Sequence, residues 1–109
     1  MSPLVPAALI DRATAQSYAA WFKALSDPTR VQILNLLAAA RRPLSVGEIV
    51  ERAEVRQPTV SHHLKLLADV RFVLREREGT SVLYSVNRAC LDAFPSAAEV
   101  VFGRPLPSG

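Results

Sequence analysis

The chain has one cysteine, and a lone thiol cannot staple a fold. With no visible export signal, this places the expected site of action in the reducing cytoplasm. Long apolar runs are missing too. The longest stretch is Leu36–Ala40, far below the ~18 residues of a membrane helix, so no membrane association is expected. The opening MSPLVPAALIDRA has no basic leader and meets Asp11 early, unlike a signal peptide. There is no glycine-rich phosphate loop, no paired carboxylate and no serine elbow, so an enzyme is not expected.

What is present is one domain's worth of chain. The 109 residues are 50% hydrophobic and 21% charged, a folding composition with little room for a second domain. The single domain spans 1–109, with 1–6 and 103–109 expected to be flexible ends, because they hold Pro3, Pro6, Pro105 and Pro107 and no apolar period. The net charge of +3 is unevenly placed. All of the excess lies between Arg56 and Arg77, and the remainder balances. A clustered excess is the footprint of a polyanion-binding surface, although a solvated arginine-rich face reads the same way on charge alone.

The apolar spacing predicts a mainly α fold. A first helix is expected over Ala7–Leu25, with Tyr18, Trp21, Phe22 and Leu25 on one face. A second starts at Pro28, behind an Asp27 cap, and ends near Ala39, with Ile33, Leu34 and Leu37 inward. A third starts at Ser45, where Ser45 and Glu48 form a capping box, and ends at Ala53. The fourth runs over Pro58–Asp69 with Val60, Leu64 and Leu67 inward. The period then changes. Phe72–Arg77 and Ser81–Val86 read as strands around a Glu78-Gly79-Thr80 turn. Asn87 is placed to cap a fifth helix from Arg88.

Four helices, a hairpin and a last helix, with the third and fourth joined by a tight turn, is the order of a winged helix-turn-helix. In such a pair the second helix lies in the major groove. With Val60, Leu64 and Leu67 inward, Gln57, Ser61, His62 and Lys65 face out. Gln57 suits adenine, Ser61 is less selective, His62 suits a base acceptor or a phosphate, and Lys65 suits a phosphate. Arg75 and Arg77 share one strand face, with Thr80 at the tip, positioned to grip backbone phosphate or enter the minor groove. An ordinary amphipathic helix would also turn a polar face outward. The same fold also serves as a protein–protein interaction module without DNA readout, and that is the alternative reading.

The stretches ALSDPTRVQILNLL, RQPTVSHHLKLL and REGTSVLYSV resemble the ArsR/SmtB family of bacterial winged-helix repressors, from Ala20 to Val86. The resemblance implies a homodimer built from the first and last helices, bound to an imperfect palindromic operator in double-stranded DNA. It implies base reading at Gln57, Ser61 and His62, with neighbouring contacts from Pro58 and Thr59. It also implies an effector, often a metal ion, and leaves room for a co-regulator protein. The chain departs from the pattern at the family's metal positions. Ser45 and Gly47 stand where a Cys-x-Cys pair would be, and Arg88, Cys90, Val101 and Arg104 where the last helix would carry ligands. A transition metal ion (Ni, Zn or Co) is therefore expected only at an atypical site, with His63 and Cys90 the candidate donors. Arg71 replaces the usual glycine after the recognition helix and is expected near the left-handed region. Pro95 interrupts the last helix, which is expected to kink there or to stop and restart at Ser96.

Overall fold

The computed structural model describes residues 9–103. The order is α1 (Arg12–Ala24), α2 (Pro28–Ala40), β1 (Leu44–Ser45), α3 (Val46–Ala53), α4 (Gln57–Asp69), β2 (Val73–Glu78), β3 (Ser81–Val86) and α5 (Arg88–Phe102). Of the expected end segments 1–6 and 103–109, only Gly103 lies within the described residues, and it closes α5 with a positive φ of 71°.

Local chemistry sets most helix starts. The Asp27 carboxylate accepts from the Arg30 amide, and Pro28 opens α2 with its φ already helical. Ser45 Oγ accepts from the Glu48 amide while Glu48 accepts from the Ser45 amide, so the box predicted for α3 is complete. The start expected at Ala7 is corrected. Leu9 and Ile10 are not helical, and Asp11 caps α1 by accepting from the Thr14 amide at 2.7 Å. The fifth helix starts as predicted, but Asn87 occupies the N-cap position without a side-chain bond. Through Pro95 the helix neither stops nor restarts. α5 is continuous from Arg88 to Phe102.

The sheet holds one strand more than the spacing predicted. β1 pairs antiparallel with β3 (Leu44 opposite Tyr84), and the strand order is β1-β3-β2. Glu78 belongs to β2, opposite Ser81, so the hairpin turns on Gly79 and Thr80 alone. Positive φ falls on Gly79 (64°) but not on Thr80, the pattern of a II′ turn.

The core forms where α2, α3 and α4 pack on the sheet. Ile33, Leu44, Ile49, Val60, Leu64, Leu67 and Phe72 are fully buried. Above it, Phe94 of α5 meets Phe22 at 5.2 Å between ring centroids and Phe72 at 5.9 Å, both edge-on. Among the described residues no helix is long and apolar enough to cross a membrane.

Candidate nucleic-acid interface

The surface is built on the α3–α4 pair. α3 ends at Glu54 in the left-handed conformation (φ 57°), with its amide returned to Val50, and this sharp stop lets Arg56 start the next helix two residues later. α4 begins at Gln57 with Pro58 at its second position, where a missing N–H costs nothing. No side chain caps this end, so its first amides stay free to meet an anion.

The 3.6-residue period then sorts the side chains. Val60, Leu64 and Leu67 have 0% exposure, while Gln57, Pro58, Thr59, Ser61, His62 and Lys65 are all exposed. These six candidates therefore form one polar rim along the first two turns of α4. Lys65 is not wholly free. Its Nζ lies 3.5 Å from Asp69 Oδ2, in a pair exposed on both sides. Such i,i+4 pairs contribute only about 0.3–0.5 kcal/mol, so a phosphate can recruit Lys65 at little cost.

In the wing, Arg75 pairs across the ladder with Tyr84 and Arg77 with Val82. Alternation places both on the side of β2 that carries the buried Val73, the side packed against the helices. Their guanidiniums thus project from the sheet face that α4 covers, beyond the edge of the core. Arg56, Arg71, Arg75 and Arg77 have no ion-pair partner among the described residues, and Thr80 is exposed in the turn. Arg71 does take a left-handed φ of 68°, at a cost of about 1 kcal/mol for a residue with a Cβ.

The two neighbouring histidines diverge. His62 is exposed. The His63 side chain is 12% exposed and turned inward, where Arg30 Nη1 lies 3.1 Å from its Nδ1 and Asp27 Oδ2 lies 3.7 Å from its Nε2. A guanidinium can only donate, so in the Arg30 contact the ring nitrogen accepts. Arg30 also donates to the Ala24 carbonyl at 2.6 Å and the Lys23 carbonyl at 3.3 Å. It therefore fastens the end of α1 and the start of α2 to the recognition helix. Sequence spacing gives no sign of this residue, which acts across 33 positions.

The two candidate donors, His63 and Cys90, do not meet within one protomer. Among the described residues no three His, Cys, Asp or Glu side chains converge. His63 is engaged by Arg30 and Asp27, on a different helix from Cys90, whose thiol donates to the Val70 carbonyl at 3.7 Å. Burial raises the Cys90 pKa and so disfavours the thiolate that a metal needs. At the positions implied by the resemblance, Ser45 Oγ caps α3, Gly47 has no donor and Arg88 donates to the Ala38 carbonyl; Arg104 lies outside the described residues.

Residues 27–74 match the family described as "Bacterial regulatory protein, arsR family". The chain is 39% identical over 70 residues to the transcriptional repressor SdpR of Bacillus subtilis, covering 64% of this chain and 76% of that one. It is 34% identical over 79 residues to the arsenical resistance operon repressor of Staphylococcus xylosus, covering 72% and 74%. The solution structure of a homodimeric winged helix-turn-helix DNA-binding domain from Mycobacterium bovis superposes with a TM-score of 0.68 at 28% identity, covering 98% of this chain and 94% of that one.

Proposed function

Because the chain belongs to the ArsR/SmtB family of DNA-binding winged helix-turn-helix repressors, which are not enzymes, we propose that it represses transcription as a homodimer seated on a two-fold operator. The α4 helix of each protomer would enter successive major grooves about 34 Å apart. Gln57, Ser61 and His62 would read base edges, with Pro58 and Thr59 beside them. Lys65, Arg75, Arg77 and Thr80 would hold phosphate or the minor groove. The observation that carries this reading is the exposed rim of α4, with two wing arginines that have no ion-pair partner among the described residues on one side of the sheet. The protein-module alternative would want large apolar anchors on that rim, and among the six exposed residues only Pro58 is apolar.

Titration of full-length protein with a palindromic promoter fragment tests it. Affinity should exceed that for random duplex and fall steeply with salt, the logarithmic slope being about −0.9 for each phosphate neutralised. A flat salt response, or equal affinity for random duplex, overturns it. The cytoplasm, where bacterial DNA lies, is the matching place of work. One relative is an arsenical resistance operon repressor, and a transition metal ion (Ni, Zn or Co) at an atypical site would have to draw donors from both protomers, since no three donors converge among the described residues of one; repeating the titration with each ion reads its effect on DNA affinity.

A further inference from the structure

At the end of β3 remote from the Gly79–Thr80 turn, the C-terminal end of α2, the loop before β1 and the start of α5 enclose an open concavity of about 590 Å³. Arg41, Arg42 and Arg88 line it, together with Ser85. Arg42 is neutralised by Glu48 at 2.8 Å. Arg41 and Arg88 have no carboxylate partner among the described residues, and no acidic side chain lines the pocket. Arg88 is held at its post by donating Nη2 to the Ala38 carbonyl at 3.3 Å. Arg41 stands in the left-handed conformation (φ 58°), a backbone that glycine adopts more cheaply. Leu37 and Val86 add apolar lining, and no residue of α4 contributes.

We propose that this pocket binds a small organic dianion, a phosphate monoester or a dicarboxylate, as a ligand distinct from DNA. Guanidinium forks match both head groups and cannot lose their charge at physiological pH. Two uncompensated positive charges select a double negative charge. The volume falls in the range of small-molecule sites and exceeds what an inorganic ion fills, so the Leu37 and Val86 walls are left for an apolar body. The site lies at the other end of β3 from the wing tip and stands whether or not α4 reads DNA.

Calorimetric titration of the full-length protein with phenyl phosphate, succinate and uncharged phenol tests the proposal. Saturable binding of phenyl phosphate or succinate, with phenol silent, is expected, and the tighter of the two identifies the head group. The double variant R41Q/R88Q should weaken binding at least about tenfold, as expected for lost charged hydrogen bonds, while K65Q and R77Q leave it unchanged. Should R41Q/R88Q fail to fold, R41G removes one charge on a backbone that suits glycine and must weaken binding as well. No saturable binding, binding indifferent to these variants, or binding lost equally in K65Q would overturn the proposal. So would displacement of the probe by duplex DNA, which would make the pocket a backbone-phosphate contact.

Discussion

Helices α4 and α5 are close in length, 13 and 15 residues, and each contains a proline, yet they are finished differently. α4 buries Val60, Leu64 and Leu67 completely and leaves a polar face to water. On α5 only Ala97 is buried among the described residues, while Val100, Val101 and Phe102 remain 42%, 48% and 73% exposed. The first helix satisfies its apolar side within its own chain, and its free face is chemically suited to a nucleic acid. The second still has apolar surface to cover. With Phe22 of α1 exposed beside Phe94, that surface matches the homodimer proposed above, in which a second copy completes what one chain cannot.

The contrast can be broken from either side, and the largest effect should come from the α4 core. Leu64→Ala should cost about 2–5 kcal/mol in urea denaturation, because a fully buried leucine leaves a cavity. The double variant V101D/F102D should instead dissociate the dimer in sedimentation measurements while leaving helix content intact. An unchanged sedimentation coefficient would show that α5 is not the contact. The adjacent histidines sharpen the comparison within α4 itself. His62→Ala should weaken operator affinity by about 1–3 kcal/mol with no change in melting temperature. His63→Ala should lower the melting temperature, because it strips Arg30 and Asp27 of a shared partner. R75Q/R77Q should reduce the salt slope of DNA binding by about two.

The smallest effect concerns pH. The side-chain bond from Arg42, with that from the Ser45 amide, lowers the Glu48 pKa from 4.5 to about 2. A carboxylate depressed in the folded state stabilises above its unfolded pKa and stops doing so as pH falls through the folded value. The stability advantage of wild type over Glu48→Gln should therefore be complete above pH 4.5 and vanish on descent to about pH 2. An advantage that persists at pH 2 would mean that charge has no part in the α3 cap.

Much of this was readable from residue order, because caps and periods are local. Asp27-Pro28, the Ser45–Glu48 box and the Val60-Leu64-Leu67 spacing each decide a helix within one turn, and the outward set on α4 follows from the inward one. The features that escaped have distant causes or little length. β1 has two residues, too few for an alternation to register, and exists only because β3 offers it a partner. The α1 start was masked by apolar residues ahead of Asp11, whose capping bond overrides them. Pro95 argues locally for a break, yet α5 continues on both sides of it. The Arg30–His63 contact joins two elements whose encounter no local pattern encodes.

The little β1 strand has one more effect. Segment Ser81–Val86 is rich in Val, Leu and Tyr and carries no charge, the composition most prone to stack into fibrils. It lies in the middle of the sheet, paired along its whole length by β2 on one side and covered at Leu83 and Tyr84 by β1 on the other. The two outer rims are a strand of only two residues and one studded with Arg75, Glu76, Arg77 and Glu78, both poor templates for an incoming chain. The arginines proposed to hold DNA thus also sit on the rim that shields the most apolar strand of the sheet from self-association.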